Sequence, residues 1–220
     1  MRFDILLSIP KTIYFNFKYL PFKQAYKLPI WVSYDCYCKA YKGAIELPKK
    51  INFAMIRIGF HGVAILDKNV QTKIIIEKGS KIYFKGTAHI GKGSKVVLHN
   101  NKSQVIFGDN FTISSASTIN CYKKIEFGRN VLFSWDCLVM DDDTHCIIDK
   151  NNQLMNPAKG IILGNNVWIG CRTMILKGSI IPDNCVIGAN TIITGKEYKE
   201  NTIIAGNPAK SIKEISHWYL

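Results

Sequence analysis

No apolar run in this 220-residue sequence reaches the length of a bilayer span, and the short apolar stretch Ile5 to Ile9 is followed by no small-residue cleavage site. Neither a transmembrane helix nor an export signal is expected. Acidic side chains are few, with 16 Asp and Glu against 29 Lys and Arg, a formal net charge of +13. That imbalance favours an anionic partner: a nucleotide-bearing cofactor, an acidic glycan or an anionic lipid surface. Nucleic acid is not expected, because the lysines are scattered and no zinc-finger, RRM or helix-turn-helix pattern is present. The seven cysteines, an odd number in a chain of this size, lack the even spacing of a disulfide framework, so a reducing, cytoplasmic compartment is expected. Cys36 and Cys38 form a lone C-x-C with no partner ligands, and no metal site is expected there.

What the chain does have is an internal repeat. From Leu163 to Ala205 an aliphatic residue returns at every sixth position, through Leu163, Ile169, Ile175, Ile181, Ile187 and Ile193. Gly164, Gly170 and Gly188 follow three of them, and the fifth place of each unit is small: Val167, Thr173, Ser179, Cys185 and Thr191. An even period keeps these side chains on one face of a strand, and six residues suffice only for one short strand and its corner. Three such units close a triangular coil of about 18 residues, and successive coils pair at about 4.8 Å. The expected fold is an all-β parallel solenoid, whose hand the spacing leaves open. Cys137 and Cys185 take the small inward place and read as core residues.

The 47% hydrophobic content suits a single domain. Residues 1–50 read as an N-terminal extension, either packing on the first coil or a neighbouring subunit, or resting on an anionic membrane. Prolines at 10, 21 and 29 punctuate it among Phe, Tyr, Leu and four lysines. The solenoid is expected over 51–205. Short β-rich runs at Ile74 to Ile76, Ile82 to Phe84 and Val96 to Leu98 fit early coils. A regular phase runs through Phe107, Ile113, Ile119 and Ile125, then restarts two residues late at Phe127, Phe133 and Val139, which predicts a bulge at one corner. Counting on from Val139, the inward place falls on Asp143, where an unpaired buried carboxylate is costly. The chain is therefore expected to leave the coil as a protruding loop over 141–160. After Ala205, Gly206-Asn207-Pro208 breaks the last coil, and 206–220 is expected to form a short C-terminal helix opened by Pro208, with Ile212, Ile215 and Tyr219 packing back.

The run ILGNNVWIGCRTMILKGSIIPDNCVIGANTIITGK, followed by NTIIAGNPAKSIKEI, resembles the coenzyme-binding end of hexapeptide-repeat acyltransferases, the group that includes sugar and polysaccharide O-acetyltransferases. The resemblance covers roughly Phe107 to Ile215. It implies a left-handed parallel β-helix, a homotrimer, acetyl-CoA as acyl donor and a sugar or glycan acceptor in a capsular or cell-envelope polysaccharide pathway. An enzyme at the inner face of the membrane suits such a lipid-linked or anionic acceptor.

His145, in MDDDTHCIID at the root of the predicted loop, is the candidate general base: imidazole titrates near neutral pH and can take the proton of an attacking alcohol. Asp143, Asp141 and Asp142 are the nearby carboxylates that could orient its ring. The family carries its base histidine at the equivalent place, and Asp143-Thr144-His145 fits that form. By the same resemblance Cys171, Ala189 and Thr194 line the pantetheine groove, and Lys210 and Lys213 sit near the nucleotide phosphates. Lys196 stands one place later than the family's usual lysine. Trp168 either walls the site or packs on the coil. His61, His89, His99 and His217 read as surface or packing residues, and the paired histidines of the related zinc-binding carbonic anhydrases are missing near His145. No nucleophile elbow is present, which favours direct transfer over an acyl-enzyme. Two other functions remain open on the sequence: N-acetylation of an amino sugar, and a non-catalytic assembly solenoid, the latter disfavoured by the WIG, VIGA and GNPAK elements.

Overall fold

The structure is a computed structural model that describes residues 3–65, 70–99, 101–195 and 197–219. Its strands wind into a three-sided coil. Face A has nine strands from Ile30–Val32 to Ala209–Glu214, face B seven from Tyr37–Lys39 to Ile192–Ile193, and face C six from Ile45–Glu46 to Ile180–Ile181. Every neighbouring pair is parallel except the last pair of face A. In the C-terminal coils the register advances by 18 residues, as in Trp168↔Val186 and Met174↔Ile192. The repeat explains the core directly: all six aliphatic positions from Leu163 to Ile193 are buried, as are Val167, Thr173, Ser179, Cys185 and Thr191 in the fifth place.

The two-residue slip is not a bulge. In the central coils the register advances by 20, as in Thr112↔Leu132 and Thr118↔Leu138. The extra pair lies at the end of face B: Cys121 is a further buried residue after Ile119 in Thr118–Cys121, and Ile125 of face C stands six residues after Ile119, whereas its counterpart Ser179 stands four after Ile175. Two residues restore the same side of a strand, so a face can lengthen by two without disturbing the phase. Phenylalanines fill the wider interior: Phe84, Phe107 and Phe127 stack with centroids 5.1 and 5.6 Å apart, and Phe111 and Phe133 pack against Phe127.

The corner between faces C and A is built by asparagines. Asn110, Asn130, Asn166, Asn184 and Asn201 occupy successive coils, each at φ of 55–57°. That left-handed conformation tolerates Asn better than other residues with a Cβ. Each side-chain amide donates to the next carboxamide oxygen at 2.8–3.0 Å, giving a ladder along the solenoid.

Both ends of the chain depart from expectation. The first coil begins at Ile30, inside the segment assigned to an extension: Ile30–Val32, Tyr37–Lys39 and Ile45–Glu46 pair with strands of the next coil. Short, irregular spacing before Lys73 hides them. Ahead of them come helices α1 (Phe3–Leu7), α2 (Ile9–Tyr19) and α3 (Phe22–Ala25). Ser8 and, within α2, Thr12 and Asn16 recur every four residues, and they serve the open edge of the first strand. Asn16 accepts from Ile30 N–H and donates to Ile30 O, Thr12 Oγ1 accepts from Val32 N–H, and Ser8 Oγ accepts from Tyr34 N–H. Backbone groups that a further strand would have paired are thereby satisfied.

At the other end the described residues form no helix. Ala209–Glu214 is a strand antiparallel to Thr202–Gly206. The Ile212 and Ile215 spacing suggests a helix, yet pairing with the last free edge wins. Ile212 and Tyr219 are exposed and do not pack back.

Candidate active site

The break in the coil falls where the phase fails, between Leu138–Met140 on face B and Ile161–Leu163 on face C. Asp141 makes the turn. It is fully buried, and its carboxylate accepts N–H bonds from Tyr122 (2.6 Å), Lys123 (2.8 Å) and Lys124 (2.8 Å), in the turn of the preceding coil. Three backbone donors compensate the burial of this charge. Burial, and then the neighbouring Asp141, push the thiol of Cys121 up.

Residues 142–160 then project outward. Ile148 and Leu154 bridge as a miniature antiparallel ladder, closed by Asp149 Oδ1 accepting from Asn151 and Gln153 N–H at 2.8 Å. His145 is exposed at the root of this loop, and its ring makes no hydrogen bond among the described residues. None of the three candidate carboxylates reaches it within one chain. Asp141 is held by the backbone, Asp142 accepts from Thr144 N–H (2.6 Å), and Asp143 accepts from Asn156 Nδ2 (2.9 Å) and from the ammonium of Lys177. Lys177, and then Asn156, hold the Asp143 carboxyl below its usual range.

Lys177 and Asn156 are absent from the sequence-level site. Asn156 ties the loop root together: Nδ2 also donates to His145 O (2.8 Å), and Oδ1 accepts from Ile147 N–H (2.7 Å). Lys177 donates to Asn156 O as well (3.1 Å). Its position after Met174–Leu176, at the corner where the loop leaves, is the one signal that could have found it.

The residues matched to the coenzyme groove occupy two corners. Cys171 and Ala189 stack at the corner between faces A and B, where Asn190 N–H donates to Cys171 O (2.9 Å). A Cβ on Gly170 would stand 2.6 Å from Ala189 N, so the glycine of WIG is required by the approach of the next coil. Thr194 is exposed at the corner between B and C, and the adjoining Gly195 lies over Gly178, next to Lys177. Lys210 and Lys213 are exposed on the terminal antiparallel strand. Lys196 lies outside the described residues. Trp168 projects outward from face A, donating to Ser134 Oγ (3.2 Å) with its ring 6.1 Å from that of Trp218.

A groove of about 390 Å³ lies elsewhere, along the asparagine ladder beneath His217, Trp218 and Tyr219. His61 and His89 are neighbours with ring centroids 5.5 Å apart, and burial, followed by His61, lowers the pKa of His89 to about 4. His99 stacks on Tyr122 at 4.2 Å. Among the described residues, no group of three or more His, Cys, Asp or Glu is placed to hold a metal ion. All seven cysteines are free.

Comparison with known proteins places these corners in context. Residues 160–195 match the family model described as bacterial transferase hexapeptide (six repeats). The chain is 32% identical over 153 residues to galactoside O-acetyltransferase of Escherichia coli (strain K12), a match covering 66% of this chain and 74% of that protein. It is 28% identical over 123 residues to the putative lipopolysaccharide biosynthesis O-acetyl transferase WbbJ of the same strain, over 51% of this chain. That match spans only 62% of the relative's length. Among solved structures, the polySia specific acetyltransferase NeuO is similar at a TM-score of 0.51 and 23% identity, covering 87% of this chain and 89% of that one, which shows a common fold. With its hexapeptide motif, its three-sided parallel coils and this degree of identity to a galactoside O-acetyltransferase, the chain belongs to the hexapeptide-repeat family of left-handed β-helix acyltransferases.

Proposed function

We propose that this protein transfers an acetyl group from acetyl-CoA to a sugar hydroxyl, in the assembly of a capsular or cell-envelope polysaccharide in the cytoplasm. The observation that carries the reading is His145: an exposed imidazole with a ring free of hydrogen bonds, at the root of the loop that interrupts the coil, at the corner shared with Thr194. Relatives named as O-acetyltransferases of galactosides, lipopolysaccharide and polysialic acid support the class of acceptor. In the reaction the acceptor oxygen attacks the thioester carbonyl carbon while His145 takes the hydroxyl proton. The carbon–sulfur bond then breaks, and the imidazolium returns its proton to the departing thiolate. Asp143, two residues away, supports the charge that develops on the ring, and Lys177 and Asn156 fix where Asp143 stands. The test is release of free thiol from acetyl-CoA in the presence of candidate glycans, read against a no-acceptor control.

Two corners separated by face B hold the matched groove residues, so a complete donor groove requires a second chain to bring its Cys171 and Ala189 corner beside His145. A homotrimer supplies this arrangement. Ile147, Ile148, Leu154 and Met155 are exposed on the loop, an apolar surface suited to a neighbour. Light scattering is expected to give a trimeric mass, and Ile148→Asp with Met155→Asp to lower that mass and the turnover together. Full activity in a monomer contradicts it.

Trp168, Cys171, Ala189, Thr194 and Lys196 line the pantetheine arm in this proposal, and Lys210 and Lys213 face the phosphates. Single exposed charges contribute little. Reversing both in Lys210→Glu/Lys213→Glu replaces attraction by repulsion toward a multiply charged ligand, and calorimetry is expected to show donor affinity at least about tenfold weaker. Unaltered affinity removes these lysines from the site.

A further inference from the structure

We infer that the N-terminal helical cap docks the protein on an anionic lipid surface. Its central helix α2 carries apolar side chains on both sides, Phe15 and Tyr19 on the buried one. The stripe that faces the protein is partly polar, because Thr12 and Asn16, together with Ser8, must satisfy the free edge of the first strand. Beyond the core-facing pair, a surface helix ordinarily turns polar side chains outward, whereas α2 exposes Ile13, Tyr14 and Phe17.

The outward side forms one patch. Ile13, Tyr14 and Phe17 come from α2, Leu6 from α1, and Phe22 and Tyr26 from α3 and its end. Phe22 is 72% exposed and Tyr14 and Tyr26 are 59% exposed. The rings are contiguous: Phe17 lies 5.9 Å from Phe22, and Phe22 6.4 Å from Tyr26. The hydrogen bonds to Ile30, Val32 and Tyr34 use none of these side chains. A pocket of about 300 Å³ between Ile5, Trp31, Phe53 and Phe60, with Arg57 among its lining, adds apolar surface and a cation beside the same helices.

Charge selects the partner. Residues 3–27 hold Lys11, Lys18, Lys23 and Lys27 against the single acid Asp4. Lys11 is turned inward onto the carbonyls of Tyr34 and Cys36, whereas Lys18, Lys23 and Lys27 stay exposed around the aromatic patch. Lysines ringing a surface of Phe, Tyr and Leu match an anionic bilayer: the rings enter the headgroup boundary and the ammonium groups stay at its surface. With 11 residues, α2 is too short to cross, and no described helix is long and apolar enough to span a membrane. The cap therefore lies in the interface. This inference goes beyond the catalytic reading and does not depend on it.

The experiment is flotation of the full-length protein with vesicles of phosphatidylcholine, with and without phosphatidylglycerol. The wild type is expected to float with the anionic vesicles and to remain behind with neutral ones. Lys23→Glu/Lys27→Glu should weaken partition at least about 25-fold, at roughly fivefold per lysine removed. Phe17→Ser/Phe22→Ser should weaken it roughly tenfold per ring, with thermal unfolding unchanged because all four positions are exposed. Absence of flotation, equal flotation with neutral vesicles, or flotation unaffected by both double variants overturns the inference. So does a wild-type assembly that falls apart in Phe17→Ser/Phe22→Ser without any lipid effect, since that assigns the face to a second copy of the chain.

Discussion

His145→Ala is expected to slow acetyl transfer by roughly 100-fold to 10,000-fold, the usual worth of a general base, while the solenoid stays folded and acetyl-CoA affinity changes little. The separation of effects follows from position. His145 lies on a loop outside the coil, its ring supports no other residue, and only its backbone carbonyl is used, by Asn156. Loss of the imidazole therefore leaves the loop root intact. Asp143→Asn is expected to cost less, because Asp143, held by Asn156 and Lys177, acts on the ring only through its charge. A wild-type rate in His145→Ala at saturating donor and acceptor, with chemistry limiting, contradicts the assignment and favours the assembly role.

Asp141→Asn is the substitution expected to damage the fold most for the fewest atoms changed. The carboxylate receives three backbone N–H groups and the Cys121 thiol at 3.5 Å, all within the turn that starts face C. An amide offers one oxygen, and its NH₂ then meets donors where an acceptor stood. At least one buried N–H loses its partner and the charge assistance disappears, a loss of about 3 kcal/mol. Because the same residue launches the loop, turnover should fall together with stability. Urea denaturation at fixed protein concentration measures the effect, and a change below about 0.5 kcal/mol, the range of an ordinary surface substitution, contradicts this role for Asp141.

The contrast between these two aspartates shows what the sequence carries. Period-six arithmetic locates the inward residues from Leu163 to Ile193, the small corner places and the point where the chain leaves the coil, because each follows from the two-residue repeat of a strand. The same arithmetic cannot see that Asp141 is buried against three backbone donors, since those donors lie about 18 residues earlier and belong to another coil. It reads the slip as a bulge at a corner, because a face B lengthened by one inward residue, Cys121, leaves the same two-residue trace. It misses the strands between Ile30 and Glu46, where irregular turns obscure the period, and it takes Ala209–Glu214 for a helix, because the attraction of a free sheet edge is not a local property. The exposed position of His145 at the loop root is legible from its place at the break. Lys177 and Asn156 are not, since a lysine in a corner and an Asn-Pro in a loop carry no sign that they meet at Asp143. The asparagine ladder is hidden as well, because the projecting loop stretches the step from Asn130 to Asn166 to twice the 18 residues that separate Asn166 from Asn184.

The central claim, acetyl transfer to a sugar hydroxyl with His145 as base, is tested most directly by incubating the purified protein with acetyl-CoA and a panel of capsular and envelope glycans. Thiol release and the base-lability of the product are followed together, with His145→Ala in parallel. The account predicts acceptor-dependent thiol release, a base-labile ester on the glycan, and loss of both in the variant. A base-stable amide on an amino sugar, or thiol release that is the same with and without every glycan and with and without His145, contradicts it.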